Sequence, residues 1–100
     1  MSYAIEVTES VAQFIEEYVT TERIYGRIRE CMGLLADYPR MGRAYDPEYA
    51  AARTPFACRQ MTVSDTPFTL YYLIDDEAAK VVVFSLVFSA GDLRRRFSVG

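Results

Sequence analysis

The sequence contains no histidine. That excludes an imidazole general base, a Ser-His-Asp triad and imidazole metal ligands. Acid–base or electrostatic chemistry therefore falls to carboxylates, tyrosines, arginines and the single lysine, Lys80. The richest basic-aromatic grouping is Arg40, Arg43 and Arg53 with Tyr45 and Tyr49. Guanidinium forks and stackable rings suit nucleic acid, and they suit a protein interface equally. Arg59 follows, placed by alternation with Ala57, Met61 and Val63. It can balance phosphate charge at a site, or pair with a carboxylate at the edge of the core. Arg94-Arg95-Arg96 can serve as a ligand clamp, a contact for an acidic partner, or a solubilising tail. Asp75-Asp76-Glu77 reads as a hairpin tip, and we expect neither a metal site nor a cofactor.

The charge is unevenly spread. Residues 1–38 carry a net −4, residues 39–60 a net +2 and residues 61–100 a net −1, for −3 overall. A sequence pI near 4.9 argues against a field that attracts nucleic acid over the whole surface. Local arginine-lined patches are compatible with it. Cys31 and Cys58 form no Cys-x-x-Cys pair and read as two buried, reduced thiols. The start, MSYAIEVTE, has no basic segment followed by an apolar core, and no apolar run is long enough for a membrane span. A cytoplasmic protein without membrane partners is the expectation. With 51% hydrophobic residues in 100, one packed domain spanning residues 1–100 is expected.

The elements that must hold these residues are legible in the spacing. Tyr3, Ile5 and Val7 alternate as one face of a first strand. Thr8 or Ser10 can cap a helix, with Ser10 and Gln13 spaced as a capping box, and Val11, Phe14, Ile15, Tyr18 and Val19 form its apolar stripe. Ile24, Ile28, Cys31, Met32 and Leu35 mark a second helix that ends near Tyr38, before Pro39. Pro39–Gly42 reads as a turn, and Asp46-Pro47-Glu48 opens a short helix over Tyr49–Arg53. Ala57–Val63 is a weaker strand. Phe68–Ile74 and Val81–Phe88 are two strong strands joined by the acidic tip.

The last strand is apolar on both faces, with Val82, Phe84, Leu86 and Phe88 against Val81, Val83 and Val87. Such a strand belongs in mid-sheet, with the first strand on its free side. The fold class is thus α+β: an N-terminal strand, an αα-hairpin and a three-stranded antiparallel meander. These make one four-stranded, mainly antiparallel sheet with both helices on one face. Tyr71 and Leu73 lie on the other face. A partner segment or a second copy, giving a homodimer, is expected to cover it.

In this order of elements the chain resembles the RelE/ParE superfamily of toxins from type II toxin–antitoxin systems. The residues that carry the resemblance are VTESVAQFIEEY after an extended start, the helix ending LLADYPRMGR, the strand with CRQ, and the hairpin FTLYYLIDDEAAKVVVFSLVF. The resemblance implies a toxin neutralised by a cognate antitoxin. RelE-like members cleave messenger RNA on the ribosome, and ParE-like members inhibit DNA gyrase without a nuclease site. A non-toxic interaction module on the same fold is a third reading.

The resemblance also implies where a nuclease site would lie. Arg59 matches a position that is often basic in RelE-like members. Where those members favour an aromatic-arginine pair this chain has Phe68-Thr69, and where they favour a basic residue or histidine it has Phe88-Ser89. Phe97 is the nearest counterpart of their C-terminal tyrosine. Catalytic residues are not fixed by these matches; Arg53, Arg59 and Tyr45 are the candidates. Arg40, Arg43, Tyr49, Tyr71, Leu73, Arg94, Arg95 and Arg96 are the candidates for target or partner binding. The ParE-like reading, a toxin acting by binding, is the one these departures favour.

Overall fold

In a computed structural model, residues 2–45 and 57–89 are described. Strand β1 (Ala4–Val7) leads into helices α1 (Glu9–Tyr18) and α2 (Glu22–Asp37). Four further strands follow: β2 (Arg43–Ala44), β3 (Arg59–Thr62), β4 (Phe68–Asp75) and β5 (Lys80–Phe88). The sheet order is β1-β5-β4-β3-β2, with β1 parallel to β5 and the other pairs antiparallel. The expected four strands thus become five. Arg43–Ala44, read as lying beyond a simple turn, adds a short edge to β3. The proposed helix over Tyr49–Arg53 lies outside the described residues.

Both helices lie on one face. Val11 of α1 and Ile28, Cys31 and Leu35 of α2 form a single core with Leu70 and Tyr72 of β4 and Val81 and Val83 of β5. Burying each of the larger side chains contributes about 1.5–3 kcal/mol. Threonine holds the N-cap position of both helices. Thr21 accepts from the Ile24 amide at 3.3 Å, so α2 begins with one exposed N–H satisfied. At α1 the N-cap is Thr8 without a side-chain cap bond, and Ser10 is already helical. The Ser10–Gln13 capping box does not form; Gln13 instead reaches Glu9.

The alternation read for the last strand is corrected by a bulge. Tyr71 pairs with Ser85 but Tyr72 pairs with Val83, so β5 carries one extra residue between them. A bulge residue shifts a strand's inside-outside phase by one. Val81 and Val83 therefore share the helix face with Leu86 and Phe88, not with Val87. Phe88 there meets Phe14, Tyr18 and Phe68, with ring centroids 5.0–5.8 Å apart.

Candidate functional site: two faces of one sheet

Residues directly opposite each other in antiparallel strands point to the same side, so the register assigns every candidate to a face. Arg59 pairs with Tyr72, whose side chain is in the core. Arg59 is therefore on the helix face. Gln60 pairs with Tyr71 and with Arg43, which puts Arg43, Gln60 and Tyr71 together on the opposite face. Tyr45 joins them there, its ring standing edge-on to Tyr71 at 4.9 Å and 82°. Leu73 lies along the same face of β4, half-buried.

The basic-aromatic grouping expected from the sequence is thus divided. Arg40 follows α2 and turns to the hairpin tip, where its Nη2 meets Asp76 Oδ2 at 2.6 Å. The Tyr3 hydroxyl donates to the other Asp76 oxygen at 2.7 Å. Those two hydrogen bonds, the tyrosine's first, hold the Asp76 carboxyl below the ordinary carboxylate range. The same contact with Asp76 raises the pKa values of Tyr3 and Arg40. Arg43 is exposed and carries no ion pair among the described residues. Tyr49, Arg53, Arg94, Arg95 and Arg96 lie outside the described residues, as does Phe97.

Arg59 has a different role from the carboxylate pairing expected of it. Its Nη2 donates to the carbonyls of Arg40 at 3.1 Å and Gly42 at 2.6 Å. The Gly42 amide in turn donates to the Tyr72 hydroxyl at 3.1 Å. These bonds fasten the turn after α2 onto the sheet. Sequence reasoning missed this latch, although Gly42 was a signal of it. A Cβ built on Gly42 would come within 2.6 Å of both the Gln60 carbonyl and the Tyr72 hydroxyl. Glycine is required here by close approach rather than by its backbone angle, since no glycine has positive φ among the described residues.

The positions where a nuclease site was expected meet at the far end of the sheet. Phe68 is paired with Phe88, and the Thr69 and Ser89 hydroxyls share a hydrogen bond of 2.6 Å. No cation is paired with these residues among the described ones. Arg59, opposite Tyr72, lies three residues further along the β3–β4 ladder from Thr69, about 10 Å, on the helix face with Phe68 and Phe88 rather than on the face of Thr69. No cluster of three or more potential metal ligands occurs among the described residues. No described helix is long and apolar enough to cross a membrane.

This arrangement of helices and sheet is that of the RelE toxins. A doubly substituted E. coli toxin RelE in the free state is similar, with TM-score 0.64 and 16% identity over 99% of this chain and 96% of that one. The same mutant in complex with an antitoxin RelBc peptide gives TM-score 0.68 and 15% identity over 100% and 97%. An archaeal RelE-RelB complex from Pyrococcus horikoshii OT3 gives 0.66 and 13% over 90% and 98%. At these identities the likeness shows the fold. Membership comes from the sequence profile of the ParE toxin of type II toxin-antitoxin system, parDE, which matches residues 5–92. The chain belongs to that ParE toxin family. Comparison with curated protein sequences gives no match.

Proposed function

We propose that this chain is a toxin that arrests growth by binding DNA gyrase in the cytoplasm, and that a cognate antitoxin neutralises it. The observation that carries the reading is the Thr69–Ser89 hydroxyl pair, beside Phe68 and Phe88, where nuclease members of the superfamily hold cations. A phosphorane-like transition state needs positive charge placed against it, and hydroxyls that bond each other supply none. The acidic pI points the same way, because ribosome-directed cleavage depends on attraction to phosphate. The family match is to the ParE toxin description, which supports gyrase over the ribosome. Similar RelE toxins have been solved with antitoxin bound, which supports an antitoxin partner.

Inducible expression in a bacterial host, with primer extension on cellular messenger RNA and a gyrase supercoiling assay on purified protein, tests the reading. Growth arrest with intact transcripts and blocked supercoiling is the expected result. Cleaved transcripts with normal supercoiling would move the assignment to the endoribonuclease. Unimpaired growth would leave an interaction module.

A further inference from the structure

Among the described residues every arginine and lysine but one is engaged. Arg23 donates to the Asp65 carbonyl, Arg27 pairs with Glu30 and Asp65, and Arg29 lies over the Tyr25 ring. Arg40 is taken by Asp76, Lys80 by Glu6, and Arg59 by two backbone carbonyls. Arg43 is exposed, and its side chain has no hydrogen bond, ion pair or ring contact among the described residues.

Its backbone, by contrast, is fixed from both sides. Strand β2 is only two residues long, so its neighbours must hold it in place. Arg43 and Ala44 pair with Gln60 and Arg59. Before them, the Gly42 amide donates to the Tyr72 hydroxyl and the Gly42 carbonyl accepts from Arg59. After them, the Tyr45 amide donates to the Cys58 carbonyl at 3.0 Å. That course of the chain sets Arg43 on the sheet face away from both helices. There Arg43, Gln60, Tyr71 and Ser85 form one row across four strands, with the Tyr45 ring edge-on to Tyr71.

We infer that Arg43 is the residue with which this chain grips its protein target, its guanidinium forking onto a carboxylate of that target beside Tyr45 and Tyr71. The inference rests on the gyrase reading and names the side of the toxin that gyrase meets; it concerns the target rather than the antitoxin. Arginine and tyrosine are the side chains that most often dominate a protein interface, and a backbone fixed in advance lowers the cost of binding. A guanidinium also takes phosphate, so the number of cations decides between the two. Binding to a nucleic-acid backbone draws its strength from several cations, each releasing counterions. This row offers one cation, with an amide, two phenols and a hydroxyl around it. Gly42 and Arg59 are positioning residues, which set where Arg43 stands.

The test uses the full-length chain in a supercoiling assay with purified gyrase, alongside growth on induction. Arg43→Ala should raise the concentration for half-inhibition at least tenfold, and Arg43→Glu at least a hundredfold. Arg43→Lys keeps the charge and loses the fork, so it should fall between wild type and Arg43→Ala. Melting temperatures of all three should match wild type, because the fold uses no bond from that side chain. Arg29→Ala, an exposed site on α2, should inhibit as wild type does. Full inhibition by Arg43→Glu overturns the inference. So does micromolar binding of a short labelled DNA duplex that Arg43→Ala abolishes, since the anion would then be a phosphate. Growth arrest separates this inference from the reading it rests on. If wild type arrests growth with supercoiling intact, the gyrase reading fails and Arg43 is judged by arrest alone. Growth restored by Arg43→Glu at equal expression, with transcripts intact in wild type, keeps the contact. Persistent arrest, or transcripts cut by wild type, removes it. A wild type that neither arrests growth nor blocks supercoiling removes both.

Discussion

The amide of Gly42 donates to the hydroxyl of Tyr72, a side chain otherwise sealed in the core. This is the point where the irregular chain after α2 is tied to the middle of the sheet. The glycine is needed because the two groups lie too close for a side chain between them.

Gly42→Ala is therefore expected to destabilise the protein by about 1–3 kcal/mol, the usual cost of overpacking a site that cannot yield. The Gln60 carbonyl is part of the β2–β3 ladder and has little room to move. Tyr72→Phe removes the acceptor and leaves the Gly42 amide unpaired, at about 1–3 kcal/mol. Urea titration of both variants checks this. Wild-type midpoints would show that the turn is held by something other than this latch.

Asp76 gives the fold a predictable acid response. Its pKa is depressed in the folded state by Tyr3 and Arg40, so its contribution is fully present above the ordinary carboxylate value and is lost as pH falls through the lowered one. Melting temperature followed from pH 6 downward should therefore fall more steeply in wild type than in Asp76→Asn. Tyr3 acts in the opposite direction. Its raised pKa means its contribution is present below the unfolded tyrosine value and disappears as pH rises above it. Parallel acid curves for wild type and Asp76→Asn would remove this clasp from the account.

Much of this architecture was legible in the chain because hydrophobic period is a local signal. The alternation in Phe68–Ile74 placed Tyr72 inward and Tyr71 outward, and the helical stripes placed both helices on one side. What could not be read was set by a single inserted residue or by backbone contacts. Nothing in KVVVFSLVF says where the ladder slips, yet the bulge decides that Val83 and Leu86 face the same way. Arg59 shows the same limit. Its position on the inner face was readable from alternation, but its partners are two carbonyls in a turn, and carbonyls carry no sequence signature. The grouping of Arg40 with Arg43 failed for a third reason. Neighbours in sequence were separated by the turn between them, one to the hairpin tip and one to the outer face of the sheet.

Both cysteines are expected to be unreactive until the fold opens. Burial pushes the Cys31 thiol up to about 11, and its Sγ–H points at the Met61 sulfur at 3.7 Å. Cys58 is equally buried. Thiolate is the reactive form, so native protein at pH 8 should react with a maleimide slowly. In urea both thiols should react at once. A fast native reaction at Cys31 would place α2 in an opening motion, and one at Cys58 the segment leading into β3.

Val83 lies in the core with no exposed surface, at the level where β1, β5 and β4 meet. Val83→Asp would bury a carboxylate among the apolar side chains of the core and should leave no soluble folded protein. Leu70→Ala, at the same depth on β4, is the milder probe and should cost about 2–5 kcal/mol. A folded, soluble Val83→Asp would contradict the mid-sheet placement of β5.

The Thr69–Ser89 pair separates structural from functional roles at the end of the sheet where nuclease members of the superfamily hold their cations. Thr69 is nearly buried and Ser89 only partly so. Thr69→Val leaves a serine hydroxyl that water can reach, so about 1 kcal/mol should be lost. With Thr69→Val and Ser89→Ala combined, neither partner is stranded, and the double variant should be close to the single one in stability rather than additive. If the protein acts by binding, growth arrest by the double variant should match wild type once expression levels are equalised. If arrest vanishes while the melting curve and antitoxin binding persist, the hydroxyl pair contacts the target or its chemistry, and the reading of an inert sheet end is wrong.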